Sequence, residues 1–492
     1  MAKYILGIDQ STQGTKALIF DEKGSLICRA DLPHRQIINE KGWVEHDPEE
    51  IYANTVQAVK NVIEKAGIDK GEIVGLGISN QRETSLAWNR DGSPVYNAIV
   101  WQCGRAAEIC DRIEKEGHAQ MIGERTGIRL SPYFPAGKLA WIMENVEGAK
   151  KGAQDGDVFL GTVDAYLVYR LTGCKVRRTD YSNASRTQLF NIHTLAWDEE
   201  ICDIFGIPVK ALGEVTDSNG DFGETDFEGY FDRPIPIRGV LGDSHGALFG
   251  QGCLEPGMTK TTYGTGSSVM MNIGEKAAMS EHGVVTSLAW CMDGKVNYCF
   301  EGNINYTGAV ITWLKDDLQL IGSAKETEAL AFSASPEDHS YLVPAFTGFG
   351  APYWDSDARA VISGMSRTTR KAEIVRDALD CIAYQITDIV KAMGEDAGIP
   401  IKELRVDGGP TGNKYLMQFQ SDIAGIPVMV PPAEELSGMG AAYAAGIALG
   451  VYNKEELFSG VERKEYRPKM DRALADEKYD GWKKAVSLAL TH

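Results

Sequence analysis

The chain has 492 residues, 43% apolar and 24% charged, and its 50 Lys and Arg against 69 Asp and Glu give a formal net charge of −19. That length exceeds the ~250–300 residues one hydrophobic core fills, so two large domains are expected, with the composition of a folded globular protein rather than a disordered or fibrous one. The acidity, unrelieved by any basic run, argues against nucleic acid as a partner, and no stretch approaches the ~18 apolar residues of a membrane span, so a cytoplasmic protein without membrane insertion is expected.

The opening MAKYILGIDQ shows no basic-then-apolar leader and enters a β-prone run at residues 4–8. Small polar residues follow and apolar ones resume at 17–20, which predicts a hairpin. Its turn, GIDQSTQGTK at 7–16, sets the carboxylate of Asp9 at a strand end, then hydroxyls and glycine, then Lys16. Backbone N–H groups in such a turn point at phosphate oxygens and Asp9 suits a hydrated Mg²⁺, although a plain glycine hairpin with a surface lysine would look the same.

Asp47 then Pro48 mark a helix start; Tyr52, Val56, Val59 and Ile63 recur at helical spacing, and Gly67 ends it. The short apolar run 73–78 reads as a strand, so strand, helix and strand alternate and the class is α/β. NQRETS at 80–85 follows, where Arg82 and Glu83 pair a donor with an acceptor suited to hydroxyls, or else form a solvated ion pair. Trp101 and Tyr133 offer aromatic faces for the C–H side of a polyol, with simple core packing as the alternative.

Past the apolar run 237–241, GDSHG at 242–246 puts Asp243 at a strand end, where it could take the proton of a substrate hydroxyl or merely cap the next helix. His245 has no HxH or HExxH companion and reads as packing. The second half repeats the strand grammar at 259–263 and 269–271, with a long helix over 373–393 whose inward stripe is Ile374, Ala378, Cys381, Ile382, Gln385 and Ile389. Another strand at 404–406 ends in Gly408-Gly409, and the Gly/Ala-rich segment 438–450 predicts a closely packed helix. The domain boundary is placed near 249–255, dividing the chain into 1–250 and 251–492. Nine cysteines, an odd number never in CxxC spacing, suggest reduced thiols rather than disulfides or a zinc knuckle.

TTYGTGSS at 261–268 and VDGGPTGN at 406–413 are further glycine turns after strands, and neither Walker A nor GxGxxG spacing occurs. Phosphate binding through separated turns in two domains is the pattern of actin-like, sugar-kinase and chaperone ATPases. YFPAGKLAWIMEN at 133–145 and AVISGMSRTTRKAEIVRDALD at 360–380 resemble the two signatures of the FGGY carbohydrate kinases, the second departing at Asp377, where the family usually has Ala or Ser. Within that family GWVEHDP, NQRET, YNAIVWQC, DYSNASRTQLFNIHTL, VPAFTGFGAPYWD and LMQFQSD are similar to the glycerol kinases, so the resemblance covers nearly the whole chain.

The resemblance implies two actin-like ATPase (ribonuclease H-like) domains around a central cleft, using ATP and Mg²⁺ to phosphorylate a small polyol or sugar, in a dimer or tetramer by family analogy. It implies that Arg82, Glu83, Tyr133 and Asp243 bind the acceptor beside Trp101, with Asp243 as general base. Thr12, Gln13, Gly14 and Lys16 would face the phosphates, Asp9 and Asp243 would serve the metal, and Thr265, Gly308, Thr312, Gly409 and Asn413 would line the nucleotide pocket. Lys16 stands where glycerol kinases have Arg, and Thr312 where they often have Gln. Ser244 and Ser268 stand where they usually have Gln and Phe, which predicts a larger acceptor pocket and a tetritol, pentitol or ketopentose as substrate, with glycerol as the alternative. The loop EGYFDRPIP at 228–236 does not match the fructose-bisphosphate loop of some bacterial relatives. A nucleotide switch of the actin or chaperone kind is the competing class, one with no need for an Arg82, Glu83 and Tyr133 pocket.

Overall fold

The opening apolar runs close as the hairpin of β1 (Tyr4–Gln10) and β2 (Gly14–Phe20), with Asp9 opposite Lys16. The computed structural model describes residues 2–432 and 435–491. Strand β3 (Leu26–Pro33) extends the hairpin antiparallel, β4 (Ile73–Asn80) lies parallel to β1, and the short β5 (Glu224–Thr225) pairs with β6 (Ile235–Gly242), itself parallel to β4. The sheet order is β5-β6-β4-β1-β2-β3. Helix α1 (Pro48–Ala66) crosses between β3 and β4 and covers one face. Its ends are those read from the sequence: Asp47 accepts a hydrogen bond from the Glu49 N–H at 2.9 Å, Pro48 opens the first turn, and Gly67 closes it at φ 65°. A five-stranded sheet of short strands between residues 37 and 162 is appended to this lobe.

After α2 (Asp243–Gly250) the plan repeats. Strands β7 (Thr259–Tyr263) and β8 (Ser267–Gly274) form a hairpin, while β9 (Val285–Met292) pairs with β10 (Lys295–Ile304), which lies antiparallel to β8. Two short helices, α3 (Gly308–Thr312) and α4 (Glu326–Ser333), precede the long α5 (Lys371–Ala397). Strand β11 (Leu404–Asp407) is parallel to β7; helix α6 (Lys414–Ala424) leads to β12 (Val428–Val430), parallel to β11. Three antiparallel strands followed by two parallel ones, twice over, is the strand plan of actin-like ATPases.

Helix α5 departs from the expected single stripe, since every residue from 375 to 390 is buried while Ile374 is only half-buried. It packs against β8 and β10 on one side and against α4, α6 and the C-terminal α8 (Arg472–Ala489) on others. The unexpected Asp377 is buried within it, 3.1 Å from the Arg376 guanidinium.

Helix α7 (Leu436–Ala448) belongs to the second half by sequence but packs on β1, β4 and β6 of the first sheet and on α2. A Cβ on Gly77 of β4 would lie 2.2 Å from the Ala441 carbonyl oxygen, so only glycine lets helix and sheet meet there. The expected division at 250 falls between α2 and β7, yet an apolar core of Leu18, Phe20, Leu241, Phe249, Met270, Trp290 and Tyr443 spans it. After α7 the chain returns to the second sheet as β13 (Lys464–Tyr466) beside β12. The nine cysteines are unpaired, and no helix among the described residues is long and apolar enough to cross a membrane.

Candidate active site

The strand plan gathers the chemistry at the loop ends of the parallel strands, Asp9 from β1, Arg82 and Glu83 after β4, and Asp243 after β6, where open α/β sheets place ligands. Asp243 opens α2, and its Oδ1 accepts from Arg82 Nε at 3.1 Å and from the Ser244 N–H at 2.6 Å. The rest of the Arg82 guanidinium is also engaged: Nη1 and Nη2 donate to Glu301 Oε2 and Oε1 at 2.8 and 2.7 Å, and Nη2 to Ser244 Oγ at 3.2 Å. Ser268 Oγ donates to Glu301 Oε1 at 3.4 Å.

Glu83 adopts the left-handed backbone region at φ 61°, which is uncommon for a non-glycine residue. Its Oε1 accepts from Arg186 Nε at 2.6 Å. Arg186 Nη1 lies 2.9 Å from Glu301 Oε2, so two arginines and two glutamates form one buried network. Burial alone would raise the Glu301 carboxyl, but Arg186 and Arg82 outweigh it and hold the group ionised, well below the usual range. His245 is fully buried, with Nε2 3.4 Å from Ser287 Oγ. Burial, with Arg82 nearby, keeps its imidazole neutral, in line with packing rather than proton transfer.

The aromatic wall touches the phosphate-type turn directly. Trp101 Nε1 donates to Thr12 Oγ1 at 2.9 Å, and the Trp101 ring lies 5.6 Å from that of Tyr133. Burial and the Glu83 carboxylate push the Tyr133 hydroxyl up, so it stays protonated and able to donate. In the turn, the Ser11 N–H donates to the Gly14 carbonyl at 2.8 Å and His34 N–H to that of Gln13 at 3.2 Å; the Gln13 side chain is exposed.

Asp9 is buried, accepts from Ser79 Oγ at 3.1 Å, and sits 4.0 Å from Lys16 Nζ. Burial raises its pKa to about 6 against the pull of Lys16, and the carboxylates of Asp243 and Glu435 add to the rise. Lys16 donates to Glu435 Oε2 at 2.6 Å; Asp9 and Glu435 raise its pKa despite burial. Glu435, at φ 66° before α7, is the second strained glutamate at the site.

A cavity of about 610 Å³ is bounded by Asp9, Lys16, Asp407, Gly409, Gly412 and Glu435. A second of about 570 Å³ is lined by Gly308, Ile311, Thr312, Leu379, Gly409, Gly412 and Asn413. The two share Gly409 and Gly412, so the turn after β11 borders both cavities. Of the expected nucleotide residues, Gly308, Thr312, Gly409 and Asn413 line the pocket. Thr265 instead braces it, its carbonyl accepting from the Thr307 and Ala309 N–H groups at 3.0 Å. Asn413 also caps α6, its Oδ1 accepting from the Leu416 N–H at 3.0 Å.

For a cation the fit is that of a partial site. Among the described residues no group of three or more His, Cys, Asp or Glu forms a closed shell. Burial raises the Asp9 pKa and the charge of Asp243 adds to the rise, a condition a cation beside Asp9 would relieve. One or two carboxylates with waters and phosphate oxygens is how Mg²⁺ is held in kinases. Glu301, Arg186 and Glu435 were not singled out from the sequence; Arg186 lies in the SNASRT segment that carries the resemblance, whereas Glu301 sits in a strand of mixed polar and apolar residues and only the fold brings it to Arg82.

The model of the FGGY family of carbohydrate kinases, N-terminal domain, matches residues 4–250, and that of the C-terminal domain matches 259–449. A glycerol kinase 1 of Thermotoga maritima is 49% identical over 491 residues, covering 99% of this chain and 100% of that protein. A glycerol kinase of Caldanaerobacter subterraneus is 47% identical over 494 residues, covering 100% and 99%. Among solved structures, Plasmodium falciparum glycerol kinase with ADP superimposes with a TM-score of 0.93 at 35% identity, covering 100% of this chain and 99% of that one.

Proposed function

The chain belongs to the FGGY family of carbohydrate kinases and is an ATP-dependent phosphotransferase acting on an alcohol group, a premise from which we propose that its acceptor is glycerol. Full-length identity of 47–49% to proteins named as glycerol kinases supports the reading most strongly. The longer acceptor expected from Ser244 and Ser268 gives way to it. Both hydroxyls are engaged with the Arg82 and Glu301 ion pair, so the two serines extend a polar network. A bare nucleotide switch is likewise set aside by the family.

In the proposed reaction Arg82, Glu83 and Tyr133 hold the acceptor hydroxyls, Trp101 packs on its carbons, and Ser244 and Ser268 complete the wall. Asp243 takes the proton of a primary hydroxyl as that oxygen bonds to the γ-phosphorus in line; the bond to the β,γ-bridging oxygen breaks and ADP leaves. Phosphoryl transfer needs chiefly positioning and charge stabilisation. Thr12, Gln13, Gly14 and Lys16 supply these at the phosphates, and Thr265, Gly308, Thr312, Gly409 and Asn413 at the rest of the nucleotide. Asp9 and Asp243 would hold a hydrated Mg²⁺, which would neutralise phosphate charge.

Assays against glycerol, erythritol, threitol, xylitol, xylulose and ribulose test the acceptor. Glycerol is expected to give the highest kcat/KM by about tenfold or more, the scale set by one or two added carbons in a fitted pocket. A four- or five-carbon acceptor outrunning glycerol would sink the reading.

A further inference from the structure

We propose that Glu301 is the positioning residue of the acceptor site, a carboxylate from the second lobe that sets the aim of Arg82 and Arg186 in the first. The inference rests on reading Arg82, Glu83 and Asp243 as the acceptor-binding groups.

Glu301 lies on β10, opposite Met270 of β8, with its side chain fully out of solvent. Arg82, Glu83, Arg186 and Ser244 all come from the N-terminal half of the chain. The Glu301 carboxylate takes both terminal nitrogens of Arg82 in a fork, at 2.8 and 2.7 Å, and Arg186 Nη1 lies 2.9 Å from Oε2. Bidentate pairing fixes the plane of a guanidinium as well as its place, which a single bond does not.

The fork matters for Asp243. With Nη1 and Nη2 tied to Glu301, only Nε reaches the base, and both of its hydrogen bonds among the described residues fall on Oδ1. Oδ2 is left to meet an acceptor hydroxyl. Without the fork, Arg82 would be free to swing both ends onto Asp243, closing the space the acceptor needs and lowering the basicity of the group that must take its proton. Arg186 would at the same time lose one of the two carboxylates that hold it and, through Nε, Glu83. Since the fork reaches across from β10, acceptor affinity depends on both lobes being in place.

Glu301→Asp retains the charge but withdraws it by one methylene, so the fork cannot form. It is expected to raise KM for the acceptor by about fivefold or more, with KM for ATP within about twofold of the parent. Glu301→Gln is expected to do the same more strongly; if it does not fold, Glu301→Asp decides. A rise in acceptor KM below fivefold in folded Glu301→Asp, or an equal rise in KM for ATP, overturns the assignment, because a buried counter-ion of purely structural use would not single out the acceptor. The assay uses glycerol if the panel favours it and otherwise the panel's best acceptor, so a wrong substrate and a wrong role for Glu301 give different results.

Discussion

Asp243→Asn is expected to lower kcat by ~10²–10⁴-fold, the range for loss of a positioned general base, while nucleotide affinity measured by calorimetry should change little. The amide is nearly isosteric and its oxygen still accepts from Arg82 Nε and the Ser244 N–H, so the start of α2 and the guanidinium stay in place. What is lost is the proposed proton acceptor and a charge that raises Asp9. The second loss should lower the Asp9 pKa, since Asp243 is one of the carboxylates raising it. A kcat within tenfold of the parent would remove Asp243 from the chemistry and with it the proton path proposed above.

Gly440→Ala is expected to destabilise the fold severely, although it adds a single methyl group. A Cβ at position 440 would stand 1.9 Å from the Gly246 carbonyl oxygen and 2.6 Å from its carbon, both backbone atoms that no rotamer change can move. Helices α7 and α2 must therefore separate. Overpacking commonly costs ~1–3 kcal/mol, and a backbone-on-backbone collision belongs at or beyond the top of that range. Because α2 carries Asp243 at its first turn, the folded fraction should also lose kcat. Gly104→Ala is the control: its position is exposed, no atom lies within 4 Å of the added carbon, and its φ is ordinary. Equal thermal midpoints for the two variants would refute the close-approach argument.

Much of this was legible in the chain because it depends on local rules. The hairpin with Asp9 opposite Lys16, the Asp47 to Gly67 helix with its caps, and strand ends carrying Arg82 and Asp243 follow from apolar runs broken by small polar residues. Other features depend on what packs against what, which spacing does not record. Helix α5 showed one inward stripe in sequence, yet sheet and helices surround it, so its polar residues are buried as well. The Gly/Ala-rich α7 announced close packing but not its partner, a sheet formed some 200–400 residues earlier. Glu301 reads as one polar residue in KVNYCFEGNI, and its meaning comes only from arginines of the other lobe. Ser244 and Ser268, taken singly, suggest vacant space, and only the fold shows that their hydroxyls are tied to Arg82 and Glu301.

The excursion of α7 has a mechanical consequence. Backbone passes from one lobe to the other after α2, again on entering α7, and a third time on the way to β13. Three crossings, together with the apolar core of Leu18, Phe249, Met270 and Trp290 that spans the division, resist twisting and sliding of one lobe on the other better than a single linker would. Such a molecule is bound as a book is at a sewn spine, by several threads rather than one.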